Sequence, residues 1–130
     1  LLILLLSFGF LISTSVKAEM VLYCQSELAA GFIKKNGRWQ EGNFNLDRFT
    51  IKFNNNFSNL EGLTSEPMEC SVSFNHKPNL IFCVHSWGSH ETLIYEKKKR
   101  RFTYSSISSG GYAFDQGDTE VLFAGTCTKF

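Results

Sequence analysis

Apolar and polar residues alternate along most of this chain, and the alternation restricts its fold more than any other feature of the sequence. Phe49, Ile51 and Phe53, for example, are separated by Thr50 and Lys52. A period of two sends successive side chains to opposite faces of a β-strand, whereas no stretch with a helical period exceeds about two turns. The sequence therefore predicts an all-β fold.

Turn residues divide the alternating stretches into eight or nine short strands. The strongest turn signal is Asn36-Gly37, because both central residues of a two-residue hairpin turn must accept positive φ. Strands joined by such turns predict a single antiparallel meander. We expect it to close as a barrel or to fold as a sandwich, because both arrangements hide the edges of the sheet.

Three short segments are less regular. Residues 28–30, with the sequence Leu-Ala-Ala, offer one helical turn. Residues 59–67 lose the alternation, which predicts a loop. Residues 112–114 are predicted to form a strand between the turn at Gly110-Gly111 and the turn at residues 115–117.

The first eighteen residues have the composition of a secretory signal. An apolar stretch runs from Leu1 through Ile12, and Val16-Lys17-Ala18 supplies the small residues that a signal peptidase accepts. The stretch is about a dozen residues long, whereas a membrane-spanning helix needs about 20. We expect an N-terminally incomplete signal peptide at residues 1–18, a single β domain at residues 19–130 without a transmembrane span, and a periplasmic or secreted location.

Four cysteines, Cys24, Cys70, Cys83 and Cys127, follow the signal. In an exported domain this even number predicts two disulfides, although four cysteines allow three pairings. Folding the chain about the turn at residues 76–79 sets Cys70 opposite Cys83, which predicts that bridge and leaves Cys24 to pair with Cys127. The C-x2-C spacing that would favour a zinc site does not occur.

The densest cluster of charge consists of Lys97, Lys98, Lys99, Arg100 and Arg101. On a hairpin tip these cations would attract an anionic envelope component, such as lipopolysaccharide, acidic polysaccharide or lipid headgroups. The alternative is a solvated turn whose charges prevent pairing between sheet edges. Duplex nucleic acid is not expected as a partner, because twelve basic side chains balance twelve acidic ones after removal of the signal.

Residues that commonly carry catalysis are sparse. His76, His85 and His90 are the only histidines, and their spacing matches neither a metal site nor a general base. The sequence has no G-x-S-x-G elbow and no phosphate-binding glycine loop, and the pair Asp115 and Asp118 is typical of a turn. These observations favour a non-enzymatic protein without a cofactor or a metal.

Several aromatic residues could serve either a ligand or the core. Trp39, Trp87, Tyr95, Tyr104 and Tyr112 would form a sugar-stacking platform, or line a site for an apolar ligand, if they shared an exposed face. Packing in the core explains the same residues. A carbohydrate-binding module is therefore one alternative function.

One spacing pattern covers most of the chain after the signal. It consists of Gly31-Phe32, Trp39, Phe44, Phe49-x-Ile51 and the closing sequence Gly125-x-Cys127-x-Lys129-Phe130. In this pattern the chain resembles uncharacterised small exported β proteins of marine bacteria and their phages. That resemblance brings no activity with it.

A shorter pattern runs from Ser109-Gly110-Gly111-Tyr112 through Gly117-Asp118 to Cys127. It resembles the S-G-x-x-Y and G-D strands of the periplasmic c-type lysozyme inhibitors, which are small antiparallel barrels whose loop serine enters the lysozyme cleft. The resemblance implies a protein partner bound through Ser108, Ser109 and Tyr112. A Ser-Gly-Gly turn between strands explains the same residues without a partner.

The features of the sequence together favour an exported, non-enzymatic binding or envelope-associated protein. Its expected partner is an anionic envelope component or another protein. A lysozyme-inhibitor-like protein is the first alternative, and a carbohydrate-binding module is the second.

Overall fold

In the computed structural model, which describes residues 19–85 and 89–129, the chain forms nine β-strands and one short helix. The predicted signal peptide at residues 1–18 and Trp87 lie outside the described residues. The elements, in chain order, are β1 (Met20–Lys35), β2 (Arg38–Glu41), β3 (Arg48–Phe53), β4 (Asn59–Glu61), β5 (Met68–Ser71), β6 (Leu80–His85), β7 (Ser89–Glu96), β8 (Arg101–Ser108), α1 (Gly111–Phe114) and β9 (Thr119–Lys129).

The strands close into an antiparallel barrel. From β3 to β9 each strand pairs with the next strand along the chain, and β1 pairs with β3 on one side and with β9 on the other. These pairings close a ring of eight strands. β2 lies outside the ring and pairs with the last four residues of β1. The all-β prediction is confirmed, and the barrel is the form observed.

β1 is long enough to contribute to the ring and to hold β2. Asn36 and Gly37 have φ angles of 51° and 75°, as the predicted hairpin turn requires. The helical turn predicted at residues 28–30 is wrong, because these residues pair with β9 as a strand. The register between β1 and β9 shifts between Ser26 and Leu28, which is a β-bulge.

This bulge reverses the faces of the residues that follow it. Before the bulge, Leu22 and Cys24 are buried in the barrel. After it, the even-numbered Phe32 is exposed and the odd-numbered Gly31 and Ile33 are less exposed. An inserted residue has this effect because strand side chains alternate with a period of two.

The hydrophobic core fills the barrel and follows the predicted alternation. Phe53 stacks on Tyr95 with ring centroids 5.5 Å apart. A fully buried side chain such as Leu or Phe stabilises the fold by about 1.5–3 kcal/mol. The largest side chains buried in this core are Tyr95, Phe53, Leu22, Ile51, Leu60, Met68, Ile81 and Leu93.

Both predicted disulfides are confirmed. Cys24–Cys127 joins β1 to β9 where the ring closes, and Cys70–Cys83 joins β5 to β6. In each pair the two residues lie directly opposite each other, with Cα atoms 4.0 Å apart. Cys24–Cys127 spans 103 residues, and the chain-entropy account assigns about 4–5 kcal/mol to a loop of that length.

Two predicted segments take another form. The loop predicted at residues 59–67 contains the short strand β4, because Lys52 and Phe53 of β3 offer it partners. The strand predicted at residues 112–114 is wrong: Ser109, Gly110 and Gly111 have φ angles of 48°, 85° and 57°. Three successive left-handed residues turn the chain away from β8 and into α1.

Candidate functional site

The two ends of the barrel present different side chains. β8 runs from Arg101 at one end to Ser108 at the other, a distance of about 23 Å at about 3.3 Å per strand residue. We call the end that holds the turn from Lys97 to Arg101 the basic end. The opposite end carries an outer groove beside β1, β2 and α1, which we call the aromatic groove and which is formed by Phe32, Trp39, Gln40, Glu41, Tyr112 and Glu120.

The predicted cationic run forms the turn between β7 and β8. The backbone amide of Arg100 donates to the carbonyl oxygen of Glu96 at 2.8 Å, and the amide of Lys99 donates to the Glu96 carboxylate. Lys97 Nζ lies 4.8 Å from the centroid of the Phe57 ring. Lys98, Lys99, Arg100 and Arg101 are exposed. The turn thus holds a cluster of exposed charges on a hydrogen-bonded backbone.

The loop between β5 and β6 lies beside this turn. The amide of Lys97 donates to the carbonyl oxygen of Asn79 at 2.9 Å, and Lys77 Nζ lies 5.8 Å from the centroid of the Phe74 ring. Because β5 ends at Ser71, Val72 and Phe74 lie in the loop with nearly half of their surfaces exposed. Exposed apolar side chains therefore adjoin the cations.

Among the described residues, the basic end gathers seven cationic side chains. β9 reaches this end, since the amide of Cys127 donates to the carbonyl oxygen of Arg100. Lys52 is not counted because Glu19 and Glu61 each approach its Nζ to 3.3 Å. The seven are Lys77, Lys97, Lys98, Lys99, Arg100, Arg101 and Lys129.

Three aromatic rings line the aromatic groove. Trp39 and Tyr112 meet edge to face, with centroids 6.1 Å apart and planes inclined by 72°. Phe32 is 46% exposed and Tyr112 is 67% exposed. The groove has a volume of about 340 Å³, within the range of small-molecule sites. Two further hollows, of about 440 and 200 Å³, extend it past Phe32 towards Leu122.

Hydrogen bonds fix the Trp39 indole and the backbone of Tyr112. Trp39 Nε1 donates to Asp115 Oδ1 at 3.0 Å, and Lys34 Nζ binds the same oxygen at 2.9 Å. The Lys34 ammonium, followed by the Trp39 indole, lowers the pKa of the Asp115 carboxyl below its usual value. The backbone amide of Tyr112 donates to Glu120 Oε1 at 2.6 Å. Contacts within the protein therefore set the position of the Trp39 ring and of the backbone that carries the Tyr112 ring.

The predicted serine site lies at the same end as the groove. Ser108 is the last residue of β8 and is half-buried, whereas Ser109 is exposed in the turn before α1. A Cβ atom at Gly117 would lie 2.3 Å from the Ser108 carbonyl and hydroxyl oxygens, so the turn at residue 117 packs closely on Ser108. Of the three residues, Ser109 and Tyr112 are therefore the accessible ones.

A polar cluster that the sequence did not indicate lies inside the barrel at the groove end. Across β6 and β7, His85 Nδ1 lies 3.5 Å from Glu91 Oε2, and these side chains are only 9% and 16% exposed. Tyr104 donates to Glu91 Oε1 at 3.1 Å. Burial, together with the adjacent Glu91 carboxylate, raises the pKa of Tyr104 far above its usual value. Tyr104 therefore remains a hydrogen-bond donor near neutral pH and does not become a nucleophilic phenolate.

The structure separates the aromatic residues that the sequence grouped as a platform. Trp39 and Tyr112 share the groove, Tyr95 is in the core, and Tyr104 belongs to the interior cluster. Phe32 and Glu120 also line the groove but were not predicted from the sequence as site residues. They face each other in the pairing of β1 with β9, and the bulge in β1 places Phe32 outside. In the sequence, the run Gly31-Phe32-Ile33 gives only a weak indication that Phe32 is exposed, because its neighbours are also non-polar.

The described residues contain no cluster of three or more His, Cys, Asp or Glu side chains suited to a metal ion. Within the same ranges, no helix has the length and apolar character that crossing a bilayer requires. Comparisons with protein-family models, curated proteins and solved structures find no match to this chain.

Proposed function

We propose that this is an exported, non-catalytic envelope protein that docks on an anionic lipid bilayer through its basic end. The observation that carries the proposal is the presence of seven cations and of exposed Phe74, over which Lys77 lies, at the same end of the barrel. The two disulfides support the assignment to an oxidising compartment outside the cytoplasm.

Charge alone would provide substantial attraction to such a surface. A Lys or Arg side chain near an anionic membrane contributes about 1 kcal/mol, so the five cations of the turn would contribute about 5 kcal/mol at low salt. Such attraction declines within a Debye length, about 10 Å at 0.1 M salt, and only cations at one end can reach the surface together. The barrel satisfies that condition because the turn, the β5–β6 loop and the end of β9 lie side by side.

The exposed apolar side chains favour a bilayer over a soluble polyanion. Phe74 and Val72 would lose apolar surface to water by entering the headgroup region, as the apolar faces of interfacial proteins do. Lys77 lies over the ring of Phe74, and its long side chain can keep its ammonium at headgroup level while the ring enters. An acidic polysaccharide would use the cations but would leave Phe74 in water.

The proposal that the protein is non-catalytic rests on the chemistry of the interior cluster. Glu91 is engaged by His85 and Tyr104, and the raised pKa of Tyr104 keeps that residue protonated. The Glu91 carboxylate therefore acts as an acceptor within a buried structural network, in which His85 Nδ1 lies nearby without a hydrogen bond. The seven cations of the basic end are ammonium and guanidinium groups, which bind anions without activating a nucleophile.

Sedimentation with lipid vesicles tests the proposal. The protein after Ala18 is mixed with phosphatidylcholine vesicles, with and without about one third phosphatidylglycerol, at low salt. We expect binding to the anionic vesicles alone. The triple variant Lys98→Ala, Lys99→Ala, Arg101→Ala should weaken that binding about a hundredfold, because it removes about 3 kcal/mol of attraction. Lys97 and Arg100 are retained because Lys97 packs on Phe57 and Arg100 has a positive φ angle.

A charge-matched variant provides the control. Lys35→Ala, Arg38→Ala, Arg48→Ala removes three exposed cations away from the basic end and should leave vesicle binding within about twofold of the wild type. Phe74→Ser should weaken binding about tenfold by removing the apolar contact. Equal losses from both triple variants, or retention on heparin without binding to vesicles, would contradict docking on a bilayer.

A second candidate, lysozyme inhibition, is favoured by the exposure of Ser109 and Tyr112 at one end of the barrel. In a cell-wall turbidity assay, an inhibitor at micromolar concentration should slow clearing, and Ser109→Trp should remove the effect by blocking entry to the lysozyme cleft. Clearing at the uninhibited rate would reject this candidate without affecting the docking proposal.

A further inference from the structure

The aromatic groove lies at the opposite end of the barrel and has a different chemistry. Its apolar walls are the rings of Phe32, Trp39 and Tyr112. The charged groups that line it are the carboxylates of Glu41 and Glu120. The ammonium of Lys34, whose residue pairs with Trp39 across β1 and β2, is held by Asp115 at 2.9 Å. The groove therefore combines π faces with unbalanced negative charge.

We propose that the aromatic groove binds an organic cation, an ammonium group that carries alkyl substituents. Aromatic faces carry negative charge at their centres and attract a cation that lies within about 6 Å. Trp39 and Tyr112 form adjoining walls at 72°, so one ammonium group can contact both rings. Alkyl groups on the nitrogen would fill the apolar surface beside Phe32, and the carboxylates would balance the charge.

The same observations disfavour other ligands. An anion would be repelled by Glu41 and Glu120. A purely apolar ligand would take the two carboxylates out of water without supplying a cation to balance them, which is costly. A neutral saccharide could stack on Trp39, but its binding would not use the negative charge of the groove.

The groove is organised before a ligand arrives. Asp115 fixes the indole of Trp39, and Glu120 fixes the backbone of Tyr112. Holding side chains in their bound positions lowers the entropy cost of binding. A pair of rings inclined by 72° is also selective, because a flat aromatic ligand cannot stack on both faces at once.

Choline and its uncharged isostere, 3,3-dimethylbutan-1-ol, test the proposal directly. Both are titrated into the protein after Ala18, and binding is followed by calorimetry and by the fluorescence of Trp39 in a Trp87→Phe background. We expect choline to bind at least about tenfold more tightly than the alcohol, because the two ligands differ mainly in charge. Equal affinities for the two ligands, or tighter binding of glucose than of choline, would overturn the proposal.

Conservative variants distinguish the charge of the groove from its shape. Glu41→Gln and Glu120→Gln retain the size of each side chain, and the amide oxygen that the second change introduces can still accept from the backbone amide of Tyr112. Together they should weaken choline binding about tenfold and leave binding of the alcohol unchanged. Trp39→Ala should abolish binding of both ligands. Phe74→Ser, at the basic end, should alter neither, whereas an equal loss of choline binding from Phe74→Ser would refute the assignment to the groove.

Discussion

The basic end and the aromatic groove show two ways in which one barrel can present a surface for recognition. At the basic end the backbone is fixed and the long side chains extend freely, so attraction depends on the number of charges. In the groove Asp115 fixes the Trp39 indole and Glu120 fixes the backbone of Tyr112, so recognition depends on the geometry of the two rings. Charge attraction at the basic end acts over several ångströms and is screened by salt, whereas recognition by the groove rings requires direct contact.

The largest effect on stability is expected from loss of the Cys24–Cys127 disulfide, which should affect both ends of the barrel. Replacing Cys24 and Cys127 with Ser should lower the free energy of unfolding by about 4–5 kcal/mol, against about 3 kcal/mol for Cys70 and Cys83, whose loop spans 13 residues. Urea denaturation measures both. Because Cys24–Cys127 joins β1 to β9, its loss should weaken vesicle binding and groove binding together. Loss at one end alone would show that the two ends fold independently.

The next largest effect is expected from salt, which should weaken vesicle binding at the basic end much more than choline binding in the groove. Raising the salt concentration from about 0.02 M to about 0.5 M shortens the Debye length from about 20 Å to about 4 Å. We expect vesicle binding to fall by at least about a hundredfold, since several charges act together. Groove binding of choline should fall by less than about tenfold because contact with the rings is little screened. If salt weakened vesicle binding in sedimentation and choline binding in calorimetry by the same factor, the two ends would not differ in their mode of recognition.

The interior cluster at the groove end should contribute to stability and not to binding. Glu91→Ala removes the acceptor of Tyr104 and the carboxylate beside His85, and both neighbours are largely buried. We expect a loss of about 1–3 kcal/mol in urea denaturation, the usual cost of unsatisfied buried polar groups. Thr92→Ala, on the same strand, is the control and should cost much less. Retained stability in Glu91→Ala would show that the cluster has another role.

The smallest effect is expected from pH, and it should appear in the groove. Because the pKa of Asp115 is lowered in the folded protein, its stabilising contacts are complete above its usual value of 3.8 and are lost as the pH falls through the lower folded value. Trp39 fluorescence in the Trp87→Phe background should therefore be constant from pH 8 to about pH 4 and change below it. A transition that persists in Asp115→Asn would assign the change to another group.

Sequence analysis predicted what depends on local pattern and on pairing across a short turn. The all-β class followed from alternation, the β1–β2 hairpin from Asn36-Gly37, and the Cys70–Cys83 bridge from a nearby turn. The position of the cationic turn between β7 and β8 also followed from the spacing of the strands.

The parts that the sequence did not predict depend on strand register and on backbone angles, neither of which a local residue pattern reveals. Phe32 faces outwards because one extra residue in β1 shifts its register with β9, nearly ninety positions away in the chain. His85 and Glu91 lie opposite each other because of the register between β6 and β7. Their short separation along the chain suggested only a turn and did not indicate that both side chains point into the barrel. Residues 112–114 alternate like a strand but follow three left-handed residues, and a glycine pair gives no sign of its φ angles.

The closure of β1 against β9 has a practical consequence for any surface-based assay. Leu22 is paired with Lys129, so both strands leave the barrel beside the basic end. A sensor-chip tether attached next to Met20 or Lys129 would turn the cations towards the chip and present the groove to the flowing sample. Attachment at the Asn36-Gly37 turn would instead present the basic end to the sample. The position of the tether therefore decides whether binding of vesicles or binding of the organic cation can be detected.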